Sequence, residues 1–402
     1  MAFSEELTRG KVLTRPLAGE DVVLYRLGAG ALRAVKPYCP HLGAHLGLGR
    51  VDGEDLVCPF HLFAFGPDGA CVRTGYETAP PRSPLGQYPV CEVNGAVFVW
   101  RHHDGRAPDW TVPEWHVVGH RPARSGVWEM AGHAQEVIEN SVDLGHFATL
   151  HGWRRAETGG PVRYDGAEFR LSMRAHESAP VLGEFTVDVH VEGYGLAALH
   201  VDVHTPRVGL RMCTTVLPTA IGPNRMQLRQ LNRLTFDEPA RLPAPLARAV
   251  SRAATRVLDR AVFKASCAFT AADFPVWHHK QYVQPPRLAH GDGPIGPFRR
   301  WARRFYPPQP VTAPASAGRT GTHPGPGSGP RSPPAPTASP APPPAAAPAG
   351  TAPPAASAPR SPACPSGPSG PAPTDPTRTT VTPSPGRTRR RSARTGNPCA
   401  GC

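Results

Sequence analysis

Lysine is almost missing from this chain: of its 44 lysines and arginines only Lys11, Lys36, Lys264 and Lys280 are lysine. Arginine dominates everywhere, which reads as a compositional bias rather than a phosphate-binding surface, so nucleic acid is not an expected partner. Long apolar runs are missing too. Nothing approaches the roughly 20 residues that cross a bilayer, and the opening MAFSEELTRGKVLT has no apolar leader segment. A soluble, cytoplasmic protein is expected. There is no internal repeat. The cysteines, at positions 39, 58, 71, 91, 213, 267, 364, 399 and 402, are odd in number and scattered, which excludes an ordinary disulfide framework. Cys71 and Cys91 read as reduced core residues, and the terminal Cys399 and Cys402 have no folded context.

The last quarter lacks core-forming side chains. From Pro307 onward it holds 27 of the chain's 52 prolines, with Ala, Ser, Gly and Thr as most of the rest. Such a segment has too little apolar surface to offset the entropy of ordering, so residues 307–402 are expected to form a disordered, Pro/Ala/Ser-rich basic tail. It supplies +8 of the formal +13 charge. The high isoelectric point therefore belongs mostly to the tail.

What is present is concentrated in Cys39-Pro40-His41 and Cys58-Pro59-Phe60-His61. Two thiolates and two imidazoles in mixed Cys/His pairs are what a Rieske [2Fe-2S] centre requires, because His₂ replaces Cys₂ on one of the two irons. A structural zinc site also uses Cys₂His₂, but a classical finger groups its ligands as C-x-x-C and H-x₃₋₅-H. The expected cofactor ligands are thus Cys39, His41, Cys58 and His61. Pro40 and Pro59 stiffen the loops, and Gly43, Gly47 and Gly49 are expected to let backbone approach the sulfides.

Around these loops the pattern is of short strands: Val22–Tyr25, Leu32–Val35, Asp55–Val57 and Val97–Trp100, with hairpin signals at Pro67-Asp68-Gly69 and Asn94-Gly95. This predicts a small antiparallel β domain over residues 8–115. A second domain over 116–306 follows. Gln135–Leu150 reads as a helix. Phe185–Val191, Leu199–Val203, Val208–Met212 and Met226–Leu228 alternate with period two, which suggests a curved antiparallel sheet with one buried face. From Pro245 to Ala272, Leu246, Ala249, Val250, Ala253, Val257, Leu258, Ala261 and Val262 recur at three- and four-residue spacing, predicting a long helix over that sheet. The class is α+β, and an enclosed apolar pocket becomes possible.

Within the first helical stretch lies Glu139-Asn140-x-x-Asp143-x-x-His146-x₄-His151. Residues five apart sit about 140° apart on an ideal helix, so joint ligation needs the helix to loosen near Thr149 to Gly152. Two His and one carboxylate on one side of a metal form the facial triad of non-haem Fe(II) oxygenases.

With these motifs in hand, the chain resembles the alpha subunits of Rieske non-haem iron oxygenases, whose E-N-x-x-D-x-x-H-x₄-H motif falls on Glu139, Asn140, Asp143, His146 and His151. The stretch Asp273-x₃-Trp277-x₂-Lys280, then Asp292-Gly293-Pro294-Ile295 and Phe298-Arg299-Arg300-Trp301, is similar to the cholesterol 7-desaturases and 3-ketosteroid 9-alpha-hydroxylase oxygenases. The resemblance spans about residues 11–306. It implies a helix-grip (START-like) catalytic domain with mononuclear iron held by His146, His151 and Asp273. Asp259 is the competing carboxylate. It also implies electrons from NAD(P)H through a flavin-dependent reductase and/or ferredoxin, O₂ as co-substrate, and a homotrimer in which one subunit's cluster serves its neighbour's iron. Asp143 then matches the carboxylate that bridges ligand histidines across that interface. The activity implied is hydroxylation or desaturation of a small hydrophobic, polycyclic, steroid-like substrate. Oxidative ring closure in secondary metabolism is the alternative on the same scaffold, and a Rieske electron carrier without oxygenase activity is the reading from another class. Two further features bear on the electron donor: Leu62-Phe63 stands where many relatives have Gly-Trp, and Arg299, Arg300, Arg303 and Arg304 form a cluster that could meet an acidic ferredoxin.

Overall fold

The computed structural model describes residues 1–116, 119, 123–179 and 183–307. The tail expected over 307–402 lies, from residue 308 on, outside the described residues. The N-terminal part is built of three small antiparallel sheets. Val12–Leu17, Glu20–Arg26, Leu32–Val35 and Gln87–Tyr88 pair in that order, and Ala2–Phe3, Ala96–Val99 and Val90–Val93 form a second sheet. The third consists of Arg50–Asp52, Asp55–Val57, Ala64–Phe65 and Cys71–Arg73, and Cys58 follows its second strand directly. The core beneath is Val23, Tyr25, Leu27, Val35, Leu46, Leu56, Phe63 and Phe65, with Cys39 and Cys58 part of it. The expected strands and both hairpin turns are present.

The second part is one strongly built antiparallel sheet. Its order is Arg124–Ala131, Arg225–Phe236, Leu210–Gly222, Ala198–Thr205, Gly183–Tyr194, Glu168–Ala179 and Arg155–Thr158, with Arg163–Asp165 also pairing onto Glu168–Ala179. Period two decides its faces. Phe169, Leu171, Met173 and Ala175 are buried while Arg170, Ser172 and Arg174 are exposed, and Val187, Val189 and Val191 continue the buried face on the next strand. Two long strands, Arg124–Ala131 and Glu168–Ala179, were not evident from the sequence. Val208 lies before the strand it was expected to start, because Gly209 takes a left-handed turn (φ 64°) and the strand begins at Leu210.

The expected helix over 135–150 is two helices, α1 (Ala134–Asn140) and α2 (Gly145–Thr149). Helix α3 runs Ala244–Ala271, followed by α4 (Phe274–His279) and α5 (Ile295–Ala302). The α3 span agrees with the sequence pattern, but its buried face does not. Ala247, Ser251, Thr255, Asp259, Phe263 and Cys267 are buried, each four residues from the last, whereas Leu246, Val250, Val257 and Leu258 are exposed. The sheet explains this, since it offers polar partners. The Ser251 hydroxyl donates to the Phe236 carbonyl, Thr270 donates to Gln230 at 2.9 Å, and the amides of Gln230 and Asn232 donate to Ser266 at 3.0 and 2.9 Å. Buried amides need such partners, so they select the polar edge of the helix over the apolar one. Among the described residues no helix is long and apolar enough to cross a membrane.

Candidate active site

The two Cys/His loops have the same design. The Cys39 amide donates to the Ala44 carbonyl and the Cys58 amide to the Phe63 carbonyl, at 2.9 and 2.8 Å, so each loop is closed by a backbone hydrogen bond. Both cysteines are buried, at 3% and 1% exposure, while His41 and His61 are half-buried with ring centroids 4.8 Å apart. Two buried sulfur donors and two half-buried imidazoles suit the unequal irons of a Rieske cluster. Glycine serves differently here than expected. Gly43 makes the first turn at φ 76°, but a side chain at Gly49 would lie 2.4 Å from the Val57 carbonyl, so that glycine lets neighbouring strands approach.

Leu62 and Phe63 turn out to face opposite ways. Phe63 is buried and stacks on His41 (4.2 Å, 7°), so it is not a docking residue; it fixes the plane of that imidazole. Leu62 is exposed and adopts φ 55°. A leucine is costly in that left-handed conformation, and glycine is not. Tyr38, Leu42, Leu48, Phe60 and Tyr76 are exposed in the same region.

At the second centre, α1 ends at Asn140, the chain turns through Ser141–Leu144, and α2 ends at Thr149 with Gly152 at φ 72°. The break that joint ligation requires is thus present on the C-terminal side of α2. Asp273 enters from the other end of the domain, between α3 and α4. One ligand-capable atom from each of His146, His151 and Asp273 lies within 4.8 Å of the other two. His151 Nε2 is 3.4 Å from Asp273 Oδ2, and His146 Nε2 is 4.0 Å from Asp273 Oδ1. Asp259, the competing carboxylate, is buried elsewhere in an ion pair with Arg124.

The protonation of this cluster tests its fit to a metal. His146 Nδ1 lies 2.6 Å from the Asp143 carbonyl oxygen, which only accepts, so Nδ1 carries the proton and Nε2 presents its lone pair toward Asp273. His151 Nε2 is buried with no hydrogen-bond partner among the described residues. Two imidazole nitrogens and a carboxylate converging in a buried place fit a divalent cation of the facial-triad class. Asn140 supports them: its Nδ2 donates to Asp273 Oδ1 at 2.8 Å and lies 3.3 Å from His146 Nε2. His151 is also held by stacking on Phe269 (3.8 Å, 13°).

Asp143 acts on His146 mainly through its backbone carbonyl. Its carboxylate lies 3.3 Å from the His146 amide and 3.9 Å from Nδ1. Burial pushes the Asp143 carboxyl up, but hydrogen bonding from His146 outweighs it and holds the group below the usual range. Glu139 has a separate task. It takes two hydrogen bonds from Arg299, at 2.7 and 2.8 Å, with both side chains buried. Arg299 is thereby spent on tying α5 to α1 and is removed from the expected ferredoxin-docking cluster.

The triad opens on a cavity of about 460 Å³ lined by Val187, Val189, Val191, Val201, Val203 and Phe269 among others. This is the size and polarity of a small-molecule site. A further group, His200, Asp202 and Cys213, gathers elsewhere in the sheet. There Cys213 Sγ donates to Asp202 at 2.7 Å and His200 stacks on Trp115 (4.7 Å, 13°).

Comparison with known proteins agrees. Residues 1–89 match the Rieske [2Fe-2S] domain family, and residues 99–306 match the 3-ketosteroid 9alpha-hydroxylase C-terminal domain family. The chain is 30% identical over 326 residues to the cholesterol 7-desaturase of Xenopus laevis, covering 75% of this chain and 70% of that protein. It is 26% identical over 315 residues to a probable 3-ketosteroid-9-alpha-monooxygenase oxygenase component of Rhodococcus rhodochrous, covering 72% and 74%. In fold it is similar to dicamba monooxygenase bound to dicamba, with a TM-score of 0.57 at 18% identity over 76% of this chain and 95% of that one. The Pseudomonas putida CBB5 NdmA structure with caffeine gives 0.54 at 17%, covering 73% and 83%. Fold and matched domains together define an oxidoreductase of the Rieske type. More narrowly, the chain belongs to the Rieske oxygenases that carry a 3-ketosteroid 9α-hydroxylase C-terminal domain.

Proposed function

We propose that this chain is the terminal oxygenase of a multicomponent system that hydroxylates or desaturates a hydrophobic, polycyclic, steroid-like substrate. The observation that carries this reading is the convergence of His146, His151 and Asp273 at the wall of an apolar 460 Å³ cavity. When bound, a [2Fe-2S] cluster supplies single electrons and a mononuclear iron supplies O₂ activation. Cys39, His41, Cys58 and His61 would hold the first, and His146, His151 and Asp273 the second. Asn140 fixes the Asp273 carboxylate, and the Asp143 carbonyl fixes the tautomer and rotation of His146, the outer support that tunes a ligand's basicity. The valine wall binds the substrate by excluding water, and it leaves orientation to the few polar groups on it.

NAD(P)H is proposed to supply the electrons through a flavin-dependent reductase or ferredoxin. The apolar residues around the cluster loops, Tyr38, Leu42, Leu48 and Phe60, together with Leu246, Val250 and Val257 of α3, support burial of these faces against other chains, in keeping with a trimer. Asp143, with its half-buried carboxylate beside the His146 ring, is proposed as the group that couples the two centres across such an interface.

Incubation of purified protein with a surrogate ferredoxin system, O₂ and a panel of steroids tests this. Substrate-dependent O₂ uptake with a hydroxylated or dehydrogenated product is expected, and it should vanish in His146→Ala while the cluster remains reducible. Absence of oxidised product from every polycycle tried would refute the reading.

A further inference from the structure

The cavity wall carries one residue that breaks its own pattern. Along Glu168–Ala179 the inward positions are Phe169, Leu171, Met173 and Ala175, and the next position of the same parity is Glu177, which also lines the cavity. Opposite it on the neighbouring strand stands Phe185. Among the described residues no lysine or arginine lines the cavity, and the only two carboxylates there are Asp273 and Glu177. Asp273 is taken up by Asn140 and the histidines; Glu177 is outside that group of converging atoms.

Glu177 is without a side-chain partner among the described residues. The ion pair next to its strand, Arg154 with Glu184, involves the neighbouring strand's carboxylate instead. Burial pushes the Glu177 carboxyl up, and the Ser178 backbone amide is the one group that pulls it back. Glu177 is only partly buried, so its carboxylate is open to a donor brought by a ligand on an otherwise apolar wall.

We propose that Glu177 is the polar recognition group of the cavity and that it selects substrates bearing a hydrogen-bond donor, a hydroxyl or an ammonium, over those bearing a ketone or an acid at the same end. This rests on the steroid-like reading above and narrows it. With no cation on the wall, an anionic group has nothing to pair with there, and a ketone offers a carboxylate no proton. A hydroxyl donates to the Glu177 carboxylate, and a hydrogen bond to an ionised acceptor is stronger than one between neutral groups.

The test is equilibrium binding, read by quenching of Trp153 and Trp277, which line the same cavity, so it is independent of turnover. Full-length protein is titrated with pregnenolone, progesterone and a 3-amino steroid. Pregnenolone should bind about tenfold tighter than progesterone, the usual size of one charge-assisted hydrogen bond. Glu177→Leu should bring that ratio to about one without weakening progesterone, and Glu177→Gln, which keeps a carbonyl acceptor, should retain part of it. Tighter binding of the amine than of pregnenolone would also support the assignment and would identify the donor as cationic. Equal binding of alcohol and ketone by the wild type, or an unchanged ratio in Glu177→Leu, would overturn it. Failure of all three steroids to bind would overturn the steroid-like reading as well, a result distinguishable from the other two.

Discussion

Replacing Arg299 by methionine isolates one buried interaction on which the site's architecture depends. Arg299 and Glu139 have side-chain exposures of only 8% and 5%, and two hydrogen bonds join them. The guanidinium also donates to the Val283 carbonyl at 2.6 Å and lies 4.5 Å from the Tyr282 ring centroid. Methionine keeps most of the volume but leaves the Glu139 carboxylate buried and unpaired, which costs about 3–5 kcal/mol. Removing both charges, as Glu139→Leu with Arg299→Met, should recover most of that loss. A residual of about 1 kcal/mol is expected for the orphaned Val283 carbonyl. Urea denaturation followed by tryptophan emission and by cluster absorbance separates the catalytic-domain transition from that of the cluster domain. A single mutant that loses less than about 1 kcal/mol, or a double mutant no more stable than the single, would refute the reasoning.

Three further outcomes follow from the site. Asn140→Ala removes the 2.8 Å bond to Asp273 and should weaken mononuclear metal binding about 10–100-fold, with cluster absorbance unchanged, as metal titration would show. Asp143→Ala leaves the backbone carbonyl on His146 in place, so it should retain both metals yet nearly abolish coupled turnover; normal product formation would remove Asp143 from that role. Leu62→Gly relieves a left-handed leucine and should be at least as stable as the wild type, whereas Leu62→Val should lose about 1 kcal/mol or more, measured by thermal loss of the cluster spectrum.

How much of this was legible depended on whether chemistry or composition carried the signal. Cys39, His41, Cys58 and His61 announce themselves because few structures need those donors at that spacing. Asp273 is different. The D-x₃-W-x₂-K motif favours it over Asp259 through the resemblance alone, and tertiary structure adds the physical reason, with Asp259 paired to Arg124 and Asp273 beside the histidines. Hydrophobicity alone marks the wrong face of α3 as buried, because the sheet beneath presents Gln230 and Asn232 and calls for Ser266 and Thr270 instead. Arg299 reads as one of a basic cluster that could meet a ferredoxin, since sequence gives no hint that Glu139, 160 residues earlier, lies against it. Glu177 was invisible for a similar reason: in a strand whose other face carries Arg170 and Arg174, one more charge does not show which way it points.

The central claim, that one chain holds both an electron-transfer cluster and a separate mononuclear centre, is tested most directly by iron content. The account predicts about three irons per chain in the wild type, two of them in the cluster. His146→Ala should hold two, with the cluster's absorbance intact. A wild type with two irons, or a His146→Ala protein that still holds three, would contradict it.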